Sequence, residues 1–257
     1  MKIKNRAVSF DDVLLVPQHS KIESRSSIDL SVDMHNISNI KTPIFSAPMD
    51  TVTEADMAIV LAQKGGLGII HRYNTPSEQQ MIVGTVCDYF EDINAHGYKN
   101  VGIAVGVSGD YIMRAQLGFS SGARLICVDV AHGDHVLALN AVKNLRQKFG
   151  KTVHIMAGNV ATLSGLNALA DAGADSVRVG IGGGSICSTR IQTGHGVPTL
   201  QSVLDCGRTD RDCLIIADGG IKTSGDIVKA IAAGADAVML GSLLAGTSEA
   251  PGNTVFQ

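Results

Sequence analysis

The stretch Gly180-Ile181-Gly182-Gly183-Gly184-Ser185-Ile186-Cys187-Ser188-Thr189-Arg190 decides how this chain is read. Four of its first five residues are glycine. Ser176-Val177-Arg178-Val179 leads into it with the apolar alternation of a strand. Glycines let a chain turn tightly and bring backbone N–H groups close to a ligand. Cys187 follows the last glycine by three positions, among the hydroxyls of Ser185, Ser188 and Thr189. The stretch reads as a loop at a strand end that cradles an anion and presents a thiol. A plain connection with an incidental cysteine would carry the same letters, so the flanking chain must arbitrate.

Working outward, eight short apolar runs read as strands, at 44–46, 67–70, 101–105, 125–130, 153–157, 175–179, 214–217 and 237–240. Nearly all are followed by a segment with helical spacing, at 55–63, 77–83, 111–117, 134–149, 163–172, 198–206 and 224–232. Thr53 followed by Asp56 reads as the start of the first helix, and Gly65-Gly66 as its stop. Ala172-Gly173-Ala174-Asp175 and Ala233-Gly234-Ala235-Asp236 match each other, each closing a helix and opening a strand. The alternation predicts a (β/α)8 TIM barrel, for which about 250 residues is usual. A doubly wound sheet is the competing architecture. Against it, no Gly-x-Gly-x-x-Gly follows the first strand, and polar residues gather after many different strands. The irregular first forty residues are expected to wrap one end of the barrel, with a short strand or turn near 8–17.

Composition excludes several classes. The chain has 257 residues, 45% of them apolar, a formal net charge of −3 and a pI of about 6.2. Nothing in that balance suggests general affinity for nucleic acid or for an anionic membrane. Cys87, Cys127, Cys187, Cys206 and Cys213 are odd in number and form no Cys-x-x-Cys pair. That argues against a disulfide scaffold and a structural zinc site, and for a reducing compartment. No run approaches membrane-spanning length, so a soluble, cytoplasmic protein is expected.

The chemistry gathers at strand ends. Asp129, Asn159, the 180–190 loop, Asp218 and Ser242 all lie at or just past an apolar run, where a barrel assembles its active site. Asp218-Gly219-Gly220 and Leu240-Gly241-Ser242 begin the seventh and eighth loops, the usual phosphate cradle of barrels. Ser185 could add a hydroxyl to the same anion. Cys187 is the nucleophile candidate, since backbone donors in a glycine-rich loop stabilise a thiolate. His71 and His132 are candidate acids, bases or ribose contacts, with a noncatalytic role weighed for both.

These motifs together resemble the family of inosine-5'-monophosphate (IMP) dehydrogenase and guanosine-5'-monophosphate (GMP) reductase. Phe10-Asp11-Asp12-Val13-Leu14-Leu15-Val16-Pro17, Met49-Asp50-Thr51-Val52-Thr53-Glu54 and Gly158-Asn159-Val160 carry the resemblance with the 180–190 loop. Thr193-Gly194-His195-Gly196-Val197-Pro198, Ala217-Asp218-Gly219-Gly220-Ile221 and the run from Gly241-Ser242 to Pro251-Gly252 complete it. The resemblance implies a tetramer of TIM barrels in which Cys187 attacks C2 of a purine nucleotide monophosphate, with Thr189 beside the reacting ring. It implies that Ser185, Asp218, Gly219, Gly220, Gly241, Ser242 and Met49 hold the nucleotide. Asp218 would take the ribose hydroxyls. It places NAD against Asp129, Ala131, Asn159, Gly180, Ile181 and Gly182, and a potassium ion on the carbonyls of Gly182, Gly184 and Cys187.

Leu67-Gly68-Ile69-Ile70-His71-Arg72, Ile191 and Thr247 lean toward the dehydrogenase, with the reductase and an inactive nucleotide-binding scaffold as alternatives. Three departures stand out. Gly183 occupies a common proline position, and His195 and Thr199 replace a common valine and glutamine. The family's mobile flap with its Arg-Tyr pair, and a last barrel helix, are missing before Gln257. That predicts a C-terminally incomplete barrel with part of its sheet face uncovered. The 76–99 connection is too short for the paired nucleotide-sensing modules that many dehydrogenases insert there, so one catalytic domain over 1–257 is expected.

Overall fold

A computed structural model describes residues 6–38, 40–93 and 100–252. Eight parallel strands close into a barrel in sequence order. They are β1 (Ile44–Ser46), β2 (Leu67–Ile70), β3 (Val101–Val105), β4 (Leu125–Asp129), β5 (His154–Val160), β6 (Ser176–Val179), β7 (Leu214–Asp218) and β8 (Ala237–Leu240). β8 pairs back onto β1 through Phe45 and Met239. The helices between them are α1 (Ala55–Gln63), α2 (Pro76–Asp92), α3 (Tyr111–Ser120), α4 (Val136–Phe149) and α5 (Leu163–Asp171). A short α6 (Thr189–Thr193), then α7 (Thr199–Cys206) and α8 (Ser224–Ala232), complete the set. The predicted TIM barrel is the observed fold.

Strand alternation sorts the side chains into two layers. Ile126, Val128, Ile155, Ala157, Val177, Val179, Val238 and Leu240 face outward into one core with Ala58, Val86, Leu145, Leu166 and Val203 of the helices. Phe45, Leu67, Ile69, Leu125, Met156, Ile216 and Met239 face inward and form a second. Val32, Met34, Ile37 and Ile40 belong to that inner core, so the chain before β1 stoppers the end where the strands begin. Its tip is a Met34–Ile37 bridge, with Asn36 in the left-handed region at φ 63° that asparagine tolerates. The expected wrapping of one end is thus a plug.

Three local readings are corrected. Thr53 does not cap α1. It is fully buried, and its hydroxyl donates to the Ala47 carbonyl at 2.6 Å and lies 2.8 Å from Ser46 Oγ, whose proton it can accept, fastening the loop after β1. The second helix runs well past Val83, to Asp92; its start is fixed by a reciprocal capping box of Thr75 and Glu78 with proline at the first turn. The outer face of β8 is not left bare. Val238 is fully buried and Leu240 is 5% exposed, in one core with Phe10, although among the described residues no helix follows β8. Phe10 sits in a 3-10 turn whose carbonyl accepts from Lys229 Nζ at 2.7 Å, so the N-terminal segment reaches α8.

The repeat seen in the sequence recurs as geometry. Gly173 and Gly234 both have φ 110°. Asp175 Oδ2 accepts from the Ile155 N–H at 2.7 Å, and Asp236 Oδ2 from the Ile215 N–H at 2.7 Å. The copies differ in one partner, since Arg146 pairs with Asp175, whereas burial pushes the Asp236 carboxyl up. An acid whose pKa rises on folding lends stability that is full at low pH and lost as pH rises through the folded value. Asp236→Asn should therefore hold or raise the melting temperature at pH 7, with less gain near pH 4. Asp175→Asn should cost about 1–2 kcal/mol of stability at pH 7, lowering the melting temperature by roughly 2–8 °C for this size. Thermal unfolding at both pH values compares them, and equal losses at pH 7 would contradict this reading.

Candidate active site

The strands deliver their polar ends to one face. Arg178 occupies an inward position on β6, between the outward Val177 and Val179, and is 6% exposed. Its Nη1 donates to Asp129 Oδ1 at the end of β4 at 2.6 Å. Its Nη2 and Nε donate to Asp218 Oδ2 at the end of β7, at 2.8 and 3.3 Å. Burial alone would lower the guanidinium pKa, but Asp218 and then Asp129 hold it above its ordinary value. The pairing of β5 with β6 shifts register between Gly158 and Val160, which re-aims Asn159. Its amide donates to the Gly180 carbonyl at 2.8 Å and to Asp218 Oδ2 at 2.7 Å. Arg178 was missed in the sequence, where it reads as the outward residue of an alternating strand.

Glycines bind the loops to one another. A Cβ on Gly180 would stand 1.9 Å from the Asp218 carbonyl oxygen, and one on Gly219 2.9 Å from the Gly184 nitrogen. Ser185 Oγ donates to Ser242 Oγ at 3.3 Å, joining the sixth loop to the eighth. A Cβ on Gly241 would meet Met49 Sδ at 3.4 Å, which brings the first loop alongside. The predicted nucleotide set, Met49, Ser185, Asp218, Gly219, Gly220, Gly241 and Ser242, is therefore drawn to one face of the barrel. Of the residues assigned to the cofactor, Asn159 and Gly180 serve the packing of that face. Ile181 bridges to Val197, and Ala131 is exposed.

Cys187 follows directly, its N–H donating to the Gly184 carbonyl at 3.1 Å, just before α6. A hydrogen bond from the Thr189 side chain holds its thiol below the ordinary cysteine range, against a small burial cost, with help from the backbone of Thr189 and Gly182 and from the Arg190 charge. Burial pushes Cys127 and Cys206 up to about 12 and Cys213 to about 11. His71 is 3% exposed, and both its ring nitrogens are engaged, Nδ1 by the Tyr73 N–H at 3.1 Å and Nε2 by Glu54 at 3.0 Å. It positions the loop after β2, while His132 is exposed.

The departures at 183 and 199 touch each other. A Cβ on Gly183 would fall 2.2 Å from Thr199 Oγ1, a buried hydroxyl with no hydrogen-bond partner among the described residues. Any larger residue at 183, proline included, needs Thr199 to move. A cleft of about 610 Å³ opens alongside, lined by Gly182, Gly184, Arg190, Thr199, Gly220 and Lys222.

Glycine-packed loops beside a thiol of lowered pKa, at the mouth of a closed parallel barrel, define the class as a (β/α)8-barrel protein with a thiol on its polar face. Residues 7–257 match the IMP dehydrogenase / GMP reductase domain. The inosine-5'-monophosphate dehydrogenase of Nitrosopumilus maritimus is 34% identical over 366 residues, spanning 96% of this chain and 77% of that protein. That of Bacillus subtilis is 34% identical over 98% of this chain and 76% of its own length. The crystal structure of GMP reductase from Trypanosoma brucei in complex with guanosine 5'-triphosphate superposes with a TM-score of 0.87 at 29% identity, over 96% of this chain and 89% of that one. The chain belongs to the IMP dehydrogenase / GMP reductase family, and is an oxidoreductase of that kind.

Two outcomes are expected of the site. Brief alkylation at pH 7 should label Cys187 ahead of the other cysteines, and Thr189→Val should slow it severalfold, read by peptide mass; equal labelling of Cys213 would contradict this. Gly183→Ala should slow the same reaction by displacing the loop, and adding Thr199→Ala should recover part of the rate. Simple additivity of the two changes would show that the contact does not matter.

Proposed function

We propose that this protein is an NAD-dependent IMP dehydrogenase that makes xanthosine monophosphate through a covalent intermediate on Cys187. The observation that carries the proposal is the Cys187 thiol, lowered in pKa, at the end of a loop tied to Asp218, Gly219 and Ser242. The phosphate is held by Ser185, Gly219, Gly220, Gly241 and Ser242. Gly219 and Gly220, at φ 93° and 78°, can turn N–H groups in directions that other residues rarely adopt. Asp218 spends Oδ2 on Arg178 and Asn159 and has Oδ1 for a ribose hydroxyl. Met49 flanks the base.

The thiolate of Cys187 adds to C2 of the purine, with Thr189 beside it. NAD, when held beside Asp129, would supply the acceptor for the hydride that leaves C2. Water then hydrolyses the thioimidate on Cys187, releasing xanthosine monophosphate and restoring the thiol. The residues fit the dinucleotide. Asp129 keeps Oδ2 clear of any donor closer than Arg72 Nε at 3.8 Å, and that Nε is itself buried without a partner. An acceptor and a donor are thus available to a ribose and a diphosphate. Ala131, Asn159, Gly180, Ile181 and Gly182 would border them.

The 182–187 loop carries no carboxylate, so its Gly182, Gly184 and Cys187 carbonyls suit a monovalent ion such as potassium, which would fix the loop. We read the chain as one catalytic domain without inserted modules, assembling as a tetramer in the cytoplasm. In support, α2 occupies most of the β2–β3 connection, and the match to the Nitrosopumilus protein spans more positions than this chain has residues. Among the described residues no helix is long and apolar enough to cross a membrane.

GMP reductase is the second reading. The T. brucei structures favour it, at TM-scores of 0.87 and 0.89. There ammonia would leave the same carbon, and NADPH would supply hydride. Absorbance of the reduced cofactor separates the two. A rise with IMP and NAD, abolished in Cys187→Ala, is the expected result. A fall with GMP and NADPH would transfer the assignment to the reductase, and no change with either pair would defeat both.

A further inference from the structure

One buried cation serves two ligand carboxylates. Arg178 is 6% exposed, and its guanidinium forks, one limb to Asp129 Oδ1 and the other to Asp218 Oδ2. Each carboxylate spends one oxygen on the fork and keeps the other. Asp218 Oδ1 has no donor from the protein among the described residues, and Asp129 Oδ2 has only Arg72 Nε at 3.8 Å. The neighbouring groups do not loosen this arrangement. Cys127 Sγ accepts from Nη1 at 3.6 Å, its thiol pushed up to about 12 by burial, and Asn159 donates to the same Asp218 oxygen as the fork. A guanidinium is planar and presents its donors in fixed directions. A ligand that draws on the free oxygen of one carboxylate therefore changes how the fork is shared with the other.

We propose that Arg178 is a positioning residue that couples the nucleotide site to the cofactor site, so that either ligand binds more tightly once the other is bound. The proposal rests on the assignment of Asp218 to the nucleotide ribose and Asp129 to the cofactor. Ribose hydroxyls donating to Asp218 Oδ1 satisfy part of that charge. The fork then leans toward Asp129 and fixes the orientation that the cofactor meets. Linkage makes the effect reciprocal. Lysine at this position would keep the charge but not the fork, since a single ammonium cannot hold both carboxylates in this geometry.

The test uses the full chain carrying Cys187→Ala, so that no reaction follows binding. Affinities for IMP and NAD are measured by calorimetry, each alone and with the other saturating. Each ligand is expected to tighten the other by at least about fivefold, the lower end of ordinary coupling. Adding Arg178→Lys should bring the factor to within about twofold of unity, whatever the affinity of each ligand alone. Adding Asp129→Asn should tighten IMP, because the freed guanidinium leans wholly on Asp218 and fixes its carboxylate; this arm decides the matter should the lysine variant fail to fold. Undiminished linkage in Arg178→Lys would assign the coupling to direct contact between the ligands and overturn the proposal. So would absence of linkage in the parent, or an unchanged IMP affinity in Asp129→Asn. A parent that binds neither ligand would overturn the functional reading, and the coupling with it.

Discussion

The guanidinium of Arg178 spans the barrel mouth between Asp129 and Asp218, and the polar face of the barrel is arranged around it. Strand ends in a closed barrel converge whatever their sequence, but convergence alone would set two carboxylates side by side in a half-buried space. Like charges so placed repel. A single cation that touches both offsets that repulsion and fixes their distance. Removing one partner of such a buried set typically costs about 3–5 kcal/mol, because the remaining charges stay desolvated. Asn159, re-aimed by the irregularity in β5, adds a neutral donor to the same oxygen.

The second constraint is closeness of backbone. Loops six, seven and eight meet through glycine and serine, with no room for a Cβ at Gly180 or Gly219. That closeness lets an anion be held by N–H groups and hydroxyls in a mildly acidic protein. It also fixes the start of α6, and with it Thr189 and Cys187. The pair at 183 and 199 extends the same logic. A threonine hydroxyl occupies the space that a side chain on the loop would need. The two departures from the family pattern are one local repacking.

Much of this was legible in the sequence. The period of two in the strands, the glycine stops and the acids at strand ends placed the barrel and put Asp129, Asn159, the 180–190 loop, Asp218 and Ser242 at its strand ends. What was not legible depended on which face of the pleat a residue takes. Arg178 lies between two valines, and in an isolated strand such a residue points to water. Only closure of the barrel makes that side the interior. Thr53 carries the letters of a helix cap, yet burial against β1 claims its hydroxyl first. The outer residues of β8 share a core with Phe10, more than two hundred positions away in sequence. Such distant partners leave no local pattern.

The central claim is that the thiol of Cys187 and the carboxylate of Asp218 serve a single bound nucleotide. The most direct measurement is the rate of Cys187 alkylation as IMP is titrated in, in the parent protein and in Asp218→Ala. Saturable protection in the parent, shifted to much higher IMP concentration in the variant, is the expected result. An alkylation rate indifferent to IMP in a folded parent, or protection unaltered by loss of the Asp218 carboxylate, would contradict it.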